Sequence, residues 1–244
     1  MSSAERLKAV TFDFWGTLFE IRDGNAQVRR RHVREFVGRR RSELSAEVVD
    51  AAFQAGVAVQ TAHWKEARHF GPDAVIDHVL AELALEAPPE ARAELRALVE
   101  DPDPTLDLRP ISGVAAALAD LRARGIRLGV VSDAGLMVGR VLRGRLGRAD
   151  LLRHFEPGAL AFSDEVGVTK PRPEIFRRAL DALDARPSEA AHVGDLRFTD
   201  MAGAKAIGMR AVRFRGYRDD EGEGPEGDAV VDDYRDLPAA LGLV

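Results

Sequence analysis

The stretch that decides the fold is Ala9-Val10-Thr11-Phe12-Asp13-Phe14-Trp15-Gly16-Thr17-Leu18. Its apolar part predicts a strand over Ala9–Phe14, which carries the acidic side chain of Asp13 at its carboxyl end. Open α/β sheets bind their ligands beyond the carboxyl ends of the strands. We therefore expect an α/β protein in which Asp13 is a candidate functional residue, although a single Asp after a strand is more often a turn or helix-cap residue.

Short apolar segments alternate with segments of helical periodicity at the start of the chain and again after about residue 110. This alternation is typical of a mostly parallel sheet with helices between the strands. Helices are predicted at Val114–Arg124 and around Ile175–Leu183. Further strands are predicted at Leu128–Ser132, Ala159–Ser163, Ala191–Gly194, Ala211–Phe214 and near Val230.

The middle of the chain shows helical periodicity only. From about Asp23 to Val99 the pattern predicts three or four amphipathic helices. Breaks between them are expected at Ser42–Ser45, Phe70–Pro72 and Ala87–Pro89.

These patterns predict two parts. A Rossmann-like α/β core is expected to comprise residues 1–18 and 106–244, with an inserted α-helical bundle at 19–105. The turn-rich segment Asp101–Thr105 and the loop near Phe19–Asp23 are predicted to be hinges between the two parts.

Composition excludes several classes of function. The chain has 244 residues and a formal net charge of −5, so nucleic acid is not expected as a partner. It has no cysteine, which excludes disulfides, thiolate nucleophiles and cysteine-bound metals. There is no apolar run of about 18 residues, and residues 1–6 do not resemble a secretory leader. We therefore expect no membrane association and a cytoplasmic location.

Three acidic residues are placed to bind a metal. Gly194-Asp195 ends a second apolar strand, and Asp200 follows five positions later. Together with Asp13, these carboxylates can converge on one hard cation such as Mg²⁺. The alternative is a helix N-terminus that carries Asp195 and Asp200 because the helix dipole favours negative charge there.

Ser132, Asp133 and Lys170 are candidates for binding an anion. Ser132 closes a predicted strand, so its hydroxyl and the N–H groups that follow, from Asp133 onward, can bind a phosphate oxygen. A small polar residue there can equally be a helix cap. Lys170 precedes Pro171 and can neutralise a nucleophilic carboxylate and a bound anion, although it can also be a surface charge.

The order strand-Asp, strand-Ser, Lys-Pro, strand-Gly-Asp-x4-Asp resembles the signature of the haloacid dehalogenase superfamily. The inserted helical segment also resembles the cap found in that superfamily. By that resemblance Asp13 is the nucleophile, Ser132 binds the transferred group and Lys170 stabilises charge. Asp195 and Asp200 would build a Mg²⁺ site with Asp13, and the backbone carbonyl of Trp15 would be a further ligand.

Trp15 departs from the usual first motif, Asp-x-Asp-Gly-Thr, in which a second Asp stands at this position. In phosphatases of this superfamily that Asp protonates the leaving oxygen and then activates water. An indole N–H can do neither. The dehalogenase branch has an aromatic residue here, because a halide leaves without a proton, but it lacks the Gly-Asp motif that this chain retains.

The resemblance therefore implies a Mg²⁺-dependent hydrolase, a phosphatase of a small phosphorylated metabolite that acts through an aspartyl-phosphate. Three alternatives stay open: a 2-haloacid dehalogenase, a phosphonate hydrolase using Lys65 as its cap lysine, and a protein of this fold without turnover. The expected partner is a small anionic metabolite, and the expected state is a monomer or homodimer.

The predicted cap carries basic residues that can face such a substrate or, more simply, form a solvated surface. In the first helix they are Arg29, Arg30, Arg31, Arg34, Arg39, Arg40 and Arg41. Cap histidines are candidates to replace the missing acid, although packing roles are expected for them at this scattered spacing: His32, His63, His69 and His78. His192, inside a predicted strand, is expected to be structural.

Overall fold

The computed structural model describes residues 6–21, 24–105 and 108–244. Among these residues, six parallel strands form one sheet in the order β3-β2-β1-β4-β5-β6. The strands are β1 Ala9–Phe12, β2 Arg127–Ser132, β3 Leu160–Phe162, β4 Ala190–Gly194, β5 Arg210–Phe214 and β6 Ala229–Val231. The predicted α/β fold with a mostly parallel, Rossmann-like sheet is confirmed.

The central strand β1 lies between β2 and β4. Phe12 pairs with Val130 on one side and with Val193 on the other. This register brings the ends of the three strands to one edge of the sheet, so Asp13, Ser132 and Gly194 follow or close neighbouring strands there. That edge is where parallel sheets bind ligands.

Two strands are shorter than predicted. β1 ends at Phe12 instead of Phe14 because the chain turns: the N–H groups of Leu18 and Phe19 both donate to the carbonyl oxygen of Phe14. β3 ends at Phe162, since Ser163 begins a one-turn helix.

The helices of the sheet-containing part bury apolar faces. α8 Pro173–Ala182, predicted around Ile175–Leu183, buries Ile175, Phe176, Ala179 and Leu180. These side chains pack with β-strand residues such as Val131 and Ala211 in one hydrophobic cluster. After residue 108 the helices are α5 Val114–Ala123, α6 Gly139–Arg148, α7 Ser163–Val166, α8 Pro173–Ala182, α9 Ala202–Ala206 and α10 Leu237–Ala240. A π-helical turn, Arg197–Met201, precedes α9.

α6 was not predicted from the sequence. Three glycines and four arginines in its ten residues leave a weak apolar pattern, so burial of Leu142 and Leu146 in the folded protein is what favours the helix.

The middle of the chain forms four helices: α1 Gly24–Gly38, α2 Ala46–Lys65, α3 Pro72–Glu82 and α4 Pro89–Glu100. The three predicted breaks are confirmed, and Pro72 and Pro89 stand in the first turns of α3 and α4, where proline is well tolerated. The helices share a core that includes Phe36, Phe53, Val75 and Leu95. The predicted start near Asp23 lies outside the described residues.

Contacts between residues divide the chain into two compact units. Within the described residues, one unit comprises 6–21, 108–133 and 143–244, and the other comprises 24–105 and 134–142. The segment 134–142 therefore belongs with the helical bundle, a feature that the sequence pattern did not indicate. No helix in the described parts of the chain is long and apolar enough to cross a membrane.

Candidate active site

Three buried carboxylates meet at the carboxyl edge of the sheet. Asp13 follows β1, Asp195 follows β4, and Asp200 lies in the π-helical turn. Each offers a carboxylate oxygen that lies within 4.8 Å of the other two. The structure thus brings together three of the residues that the sequence pattern placed at one site.

Lys170 provides the counter-charge. Its side chain is buried, and its Nζ donates hydrogen bonds to Asp13 Oδ1 and to Asp200 Oδ1, both at 2.6 Å. The surface alternative for Lys170 is therefore wrong. Burial alone would lower the pKa of Lys170, but Asp13 and Asp200 raise it above its ordinary value, so the ammonium stays charged.

The three carboxyl groups differ in pKa. Burial raises the pKa of Asp13 above its ordinary value, against the effect of Lys170. Burial, with Asp13 and Asp200 nearby, raises the pKa of Asp195 to about 8. Burial would also raise the pKa of Asp200, but Lys170 and His192 hold it well below its usual range. Such a spread of pKa values within one cluster is typical of functional sites.

Two glycines allow the carboxylates to approach the backbone. Gly16 has a φ of +74°, and a Cβ atom there would overlap Asp195 Oδ2 and lie 2.9 Å from its Cγ. A Cβ atom on Gly194 would overlap the side chain of Asp200. Any other residue at either position would displace a carboxylate of the cluster.

The donor set fits a hard divalent cation. It consists of oxygen atoms from three carboxylates, the ligand type that Mg²⁺ prefers. Asp195 Oδ1 is buried and has no hydrogen-bond partner among the described residues. An orphaned carboxylate oxygen in a cluster of like charges is unfavourable unless a cation binds it.

Ser132 and Asp133 lie beside this cluster at the end of β2. Ser132 is fully buried, and its Oγ has no hydrogen-bond partner in the described part of the chain, which leaves it able to bind a ligand oxygen. Asp133 Oδ1 accepts a hydrogen bond from the backbone N–H of Lys170 at 2.9 Å. The Asp133 side chain therefore holds the backbone that carries Lys170.

Trp15 follows the strand, as expected from the motif. Its ring packs edge-on against Phe14 with ring centroids 4.9 Å apart, and Phe14 stacks on Phe19 at 4.6 Å. The residue is half-buried. The indole thus belongs to an aromatic group formed by residues that follow Asp13 in the chain, and no carboxylate stands at this position.

His192 is fully buried in β4, as its place in a predicted strand implied, and both of its ring nitrogens have partners. Its Nε2 lies 3.1 Å from Asp200 Oδ1, and its Nδ1 lies 2.8 Å from Thr11 Oγ1. Thr11 and His192 are partners in the register between β1 and β4. That register, once the order of the strands is known, is the signal that would have found this contact.

Arg218 was also missed. It lies in the loop between β5 and β6, and its Nη2 donates a hydrogen bond to Asp195 Oδ2 at 2.9 Å. The sequence places it in a Gly-rich acidic segment, 23 residues from its partner, and gives no local signal of the contact.

In the helical unit, several of the predicted basic residues pair within that unit. Arg34 pairs with Asp50, and both Arg39 and Arg40 pair with Glu94. Arg29 Nε donates to the carbonyl oxygen of Val99 at 2.7 Å. These contacts favour the surface and packing interpretation for this set, and any role in binding an anion stays a prediction.

The model of one protein family, described as haloacid dehalogenase-like hydrolase, matches residues 7–208, which is most of the chain. This chain belongs to the haloacid dehalogenase-like hydrolases. The match includes every residue of the buried cluster. The family resemblance predicted from the motifs is confirmed, and the protein is a hydrolase.

Curated relatives of this hydrolase include proteins named as phosphatases. A glyceraldehyde 3-phosphate phosphatase of Methanopyrus kandleri is 33% identical over 241 residues, 96% of this chain and 95% of that protein. A phosphoserine phosphatase of Thermus thermophilus is 39% identical over 52% of this chain and 49% of that protein. The match to a glyceraldehyde 3-phosphate phosphatase of Pyrococcus furiosus, 35% identical, spans 44% of this chain and only 43% of the relative.

Solved structures show the same fold. A phosphatase of this family from Thermococcus onnurineus has a TM-score of 0.67 and 23% identity, covering 97% of this chain and 98% of that one. A 2-haloacid dehalogenase from Pseudomonas syringae has a TM-score of 0.65 and 22% identity, with the same coverage. The two are nearly equally similar to this chain, so the fold does not distinguish phosphatase from dehalogenase.

Proposed function

We propose that this hydrolase is a Mg²⁺-dependent phosphatase of a small phosphorylated metabolite, and that it acts through an aspartyl-phosphate on Asp13. The observation that carries the proposal is the buried cluster of Asp13, Asp195 and Asp200 with Lys170 bonded to two of its members. Carboxylates that only capped a helix would not need to converge on one point away from solvent.

Asp13 is the proposed nucleophile. Its carboxylate attacks phosphorus while the bond from phosphorus to the leaving oxygen breaks, and water then attacks phosphorus and releases Asp13. Lys170 donates to Asp13 Oδ1 and so holds the carboxylate in one orientation with its charge partly neutralised. An anionic substrate can then approach an anionic nucleophile.

Asp13, Asp195 and Asp200 would hold Mg²⁺, with the carbonyl oxygen of Trp15 as a further ligand. When bound, the cation neutralises the charge of the phosphoryl group and aligns it for attack. Ser132 Oγ, buried and unpartnered among the described residues, would bind a phosphoryl oxygen together with backbone N–H groups from Asp133 onward.

Trp15 supplies neither an acid for the leaving group nor a base for water, since an indole N–H has no useful acidity. The proposed phosphatase therefore favours substrates whose leaving group needs little protonation.

A 2-haloacid dehalogenase is the second candidate, because Trp15 is an aromatic residue beside the nucleophile. The three-carboxylate cluster weighs against it, since a cation there weakens Asp13 as a nucleophile toward carbon.

The substrate class is supported by the relatives. Proteins named for glyceraldehyde 3-phosphate and for phosphoserine are both phosphatases of small phosphorylated metabolites. We further propose that residues 1–18 and 106–244 are the catalytic core and that 19–105 are a cap, in a monomer or homodimer that acts in the cytoplasm.

A panel assay tests the proposed function. Wild type and Asp13→Asn are assayed with phosphate esters, including aryl, acyl and alkyl phosphates, and with 2-haloacids, each with and without Mg²⁺. We expect Mg²⁺-dependent release of phosphate by the wild type only. Metal-independent release of halide would favour the dehalogenase.

A further inference from the structure

One arginine of the loop between β5 and β6, Arg218, contacts the buried cluster. Arg218 Nη2 donates to Asp195 Oδ2 at 2.9 Å, and the Arg218 side chain is 48% exposed whereas that of Asp195 is 1% exposed. We propose that Arg218 is a positioning residue that orients the Asp195 carboxylate and thereby increases the affinity for Mg²⁺. The inference rests on the proposed function, because it requires the carboxylate cluster to bind that cation.

The residues on both sides of Arg218 are anchored through their side chains. The hydroxyl of Tyr217 accepts a hydrogen bond from the N–H of Ile21 at 3.1 Å and donates one to the carbonyl oxygen of Ile21 at 3.0 Å. Asp219 pairs with the buried Arg213, with Nη1 and Oδ1 2.6 Å apart. Both neighbours of Arg218 are thus tied to other elements, so the direction of the arginine is set by the loop.

The same loop is tied to the segment that follows Asp195. Asp220 Oδ2 accepts a hydrogen bond from the N–H of Arg197 at 2.7 Å. Glu226 pairs with Arg197 at 2.9 Å and with Arg213 at 2.6 Å. The loop and the Asp195 segment therefore form one bonded unit, and the ion pair between Arg218 and Asp195 lies within it.

The two oxygens of Asp195 have different environments. Oδ2 accepts from Arg218 and lies close to the backbone of Gly16, whereas Oδ1 has no hydrogen-bond partner among the described residues. A guanidinium on Oδ2 holds the carboxylate in one rotamer and leaves Oδ1 for a cation. The arginine and Mg²⁺ thus use separate oxygens of the same group.

In this arrangement Arg218 is expected to orient the Asp195 carboxylate for Mg²⁺ rather than compete with Mg²⁺ for it. Carboxylates that bind metals are commonly held by a hydrogen-bond donor on the other oxygen, and loss of such a donor typically weakens metal binding 10–100-fold. Repulsion between the guanidinium and the cation acts in the opposite direction. Because the Arg218 side chain is half-exposed, water reduces part of that repulsion.

Calorimetric titration of the metal-free protein with Mg²⁺ tests the inference. Arg218→Met keeps much of the side-chain length but removes the donor and the charge, and Arg218→Gln removes the charge but keeps an N–H donor on a shorter side chain. Arg218→Lys restores the charge. The matched control is Arg215→Met, in the same loop, because Arg215 is similarly exposed and pairs with Asp232 away from the cluster.

We expect the dissociation constant for Mg²⁺ to rise about 10-fold in Arg218→Met and in Arg218→Gln. It should recover partly in Arg218→Lys and stay unchanged in Arg215→Met. Saturating Mg²⁺ should restore kcat in Arg218→Met, because the arginine acts through the metal site.

The other outcomes overturn the inference in distinct ways. Unchanged or tighter Mg²⁺ binding in folded Arg218→Met and Arg218→Gln would overturn the role of Arg218 and leave the proposed function standing. A kcat of Arg218→Met that stays low at saturating Mg²⁺ would do the same. Absence of Mg²⁺ binding in the wild type would overturn the proposed function as well.

Discussion

The backbone of Gly16 lies so close to the carboxylate of Asp195 that a Cβ atom on Gly16 would overlap Asp195 Oδ2. Gly16 follows β1 and Asp195 follows β4, and the two strands are neighbours in the sheet. The first motif thus depends on a glycine for a reason separate from its positive φ. The close approach leaves no room for a side chain between the backbone and the carboxylate.

Gly16→Ala should weaken Mg²⁺ binding because the new methyl group displaces Asp195. It should also cost about 1–2 kcal/mol of stability from backbone strain at φ +74°. Gly125→Ala is the matched control, since Gly125 has φ +79° with nothing within 4 Å of a Cβ atom. Scanning calorimetry should show a loss of stability in both variants. Titration calorimetry should show weaker Mg²⁺ binding in Gly16→Ala alone. Equal affinities would contradict the displacement.

Lys170→Met should destabilise the metal-free protein by about 3–5 kcal/mol, because it leaves Asp13 and Asp200 buried without their counter-charge. Lys205→Met is the control: Lys205 pairs with Asp228 on the surface and should cost about 0–1 kcal/mol. Urea denaturation of both variants measures the difference. Similar small losses would show that the buried ion pairs contribute little.

Asp13→Asn should abolish turnover and leave the fold unchanged, since an amide cannot form the covalent intermediate. Circular dichroism checks the fold. Intact-protein mass spectrometry of quenched reactions should detect a phosphoryl group on the wild type and none on the variant. Metal-dependent activity above a trace in the variant would exclude Asp13 as the attacking group.

Mg²⁺ binding should strengthen as pH rises toward 8. Burial and the neighbouring carboxylates raise the pKa of Asp195 to about 8, so the metal-free site carries a proton there at neutral pH. Mg²⁺ binds the ionised carboxylate, and each pH unit below 8 should therefore weaken binding by up to about tenfold. Calorimetry in buffers of different ionisation enthalpy should detect the released proton, and Asp195→Asn should abolish it.

The stability of the metal-free protein, unlike its affinity for Mg²⁺, should fall as pH rises toward 8. For a carboxyl group whose pKa is raised by folding, the contribution to stability is fully present below its unfolded pKa of about 4 and is lost as pH rises through the folded value near 8. The Asp195 contribution to the free energy of unfolding should therefore fall across this window. Asp195→Asn should flatten that part of the profile.

Trp15→Asp separates the two candidate activities. In a phosphatase that lacks its acid, the new carboxylate should raise alkyl-phosphate turnover by up to about 10²-fold, provided the loop tolerates loss of the packing against Phe14. In a dehalogenase the added negative charge beside Asp13 should reduce turnover. Phosphate-ester and haloacid assays of both proteins, run in parallel, distinguish these results. A folded variant with no gain on phosphate esters would contradict the missing-acid account.

The sequence by itself determined the sheet, a bundle of three or four helices and the positions of the acidic residues at strand ends. Apolar runs such as Leu128–Ser132 have few alternatives to a buried strand, and Pro72 and Pro89 mark where new helices begin. Because parallel strands end at one edge, placing Asp13 and Asp195 after strands was sufficient to predict that they meet.

Only the tertiary structure decided what these groups contact. The motifs implied a charge-stabilising role for Lys170, but its hydrogen bonds to Asp200 and to Asp13, 157 residues away, follow from the fold. Arg218 reaches Asp195 from a loop with no local motif. His192 reaches Thr11 because β4 lies beside β1, and the turn that follows β4 brings Asp200 to the other ring nitrogen of His192. Such contacts depend on strand order and on loop anchoring, which arise from packing between distant segments. Local periodicity contains no information about them, and for that reason the pKa values of the cluster followed only from the folded protein.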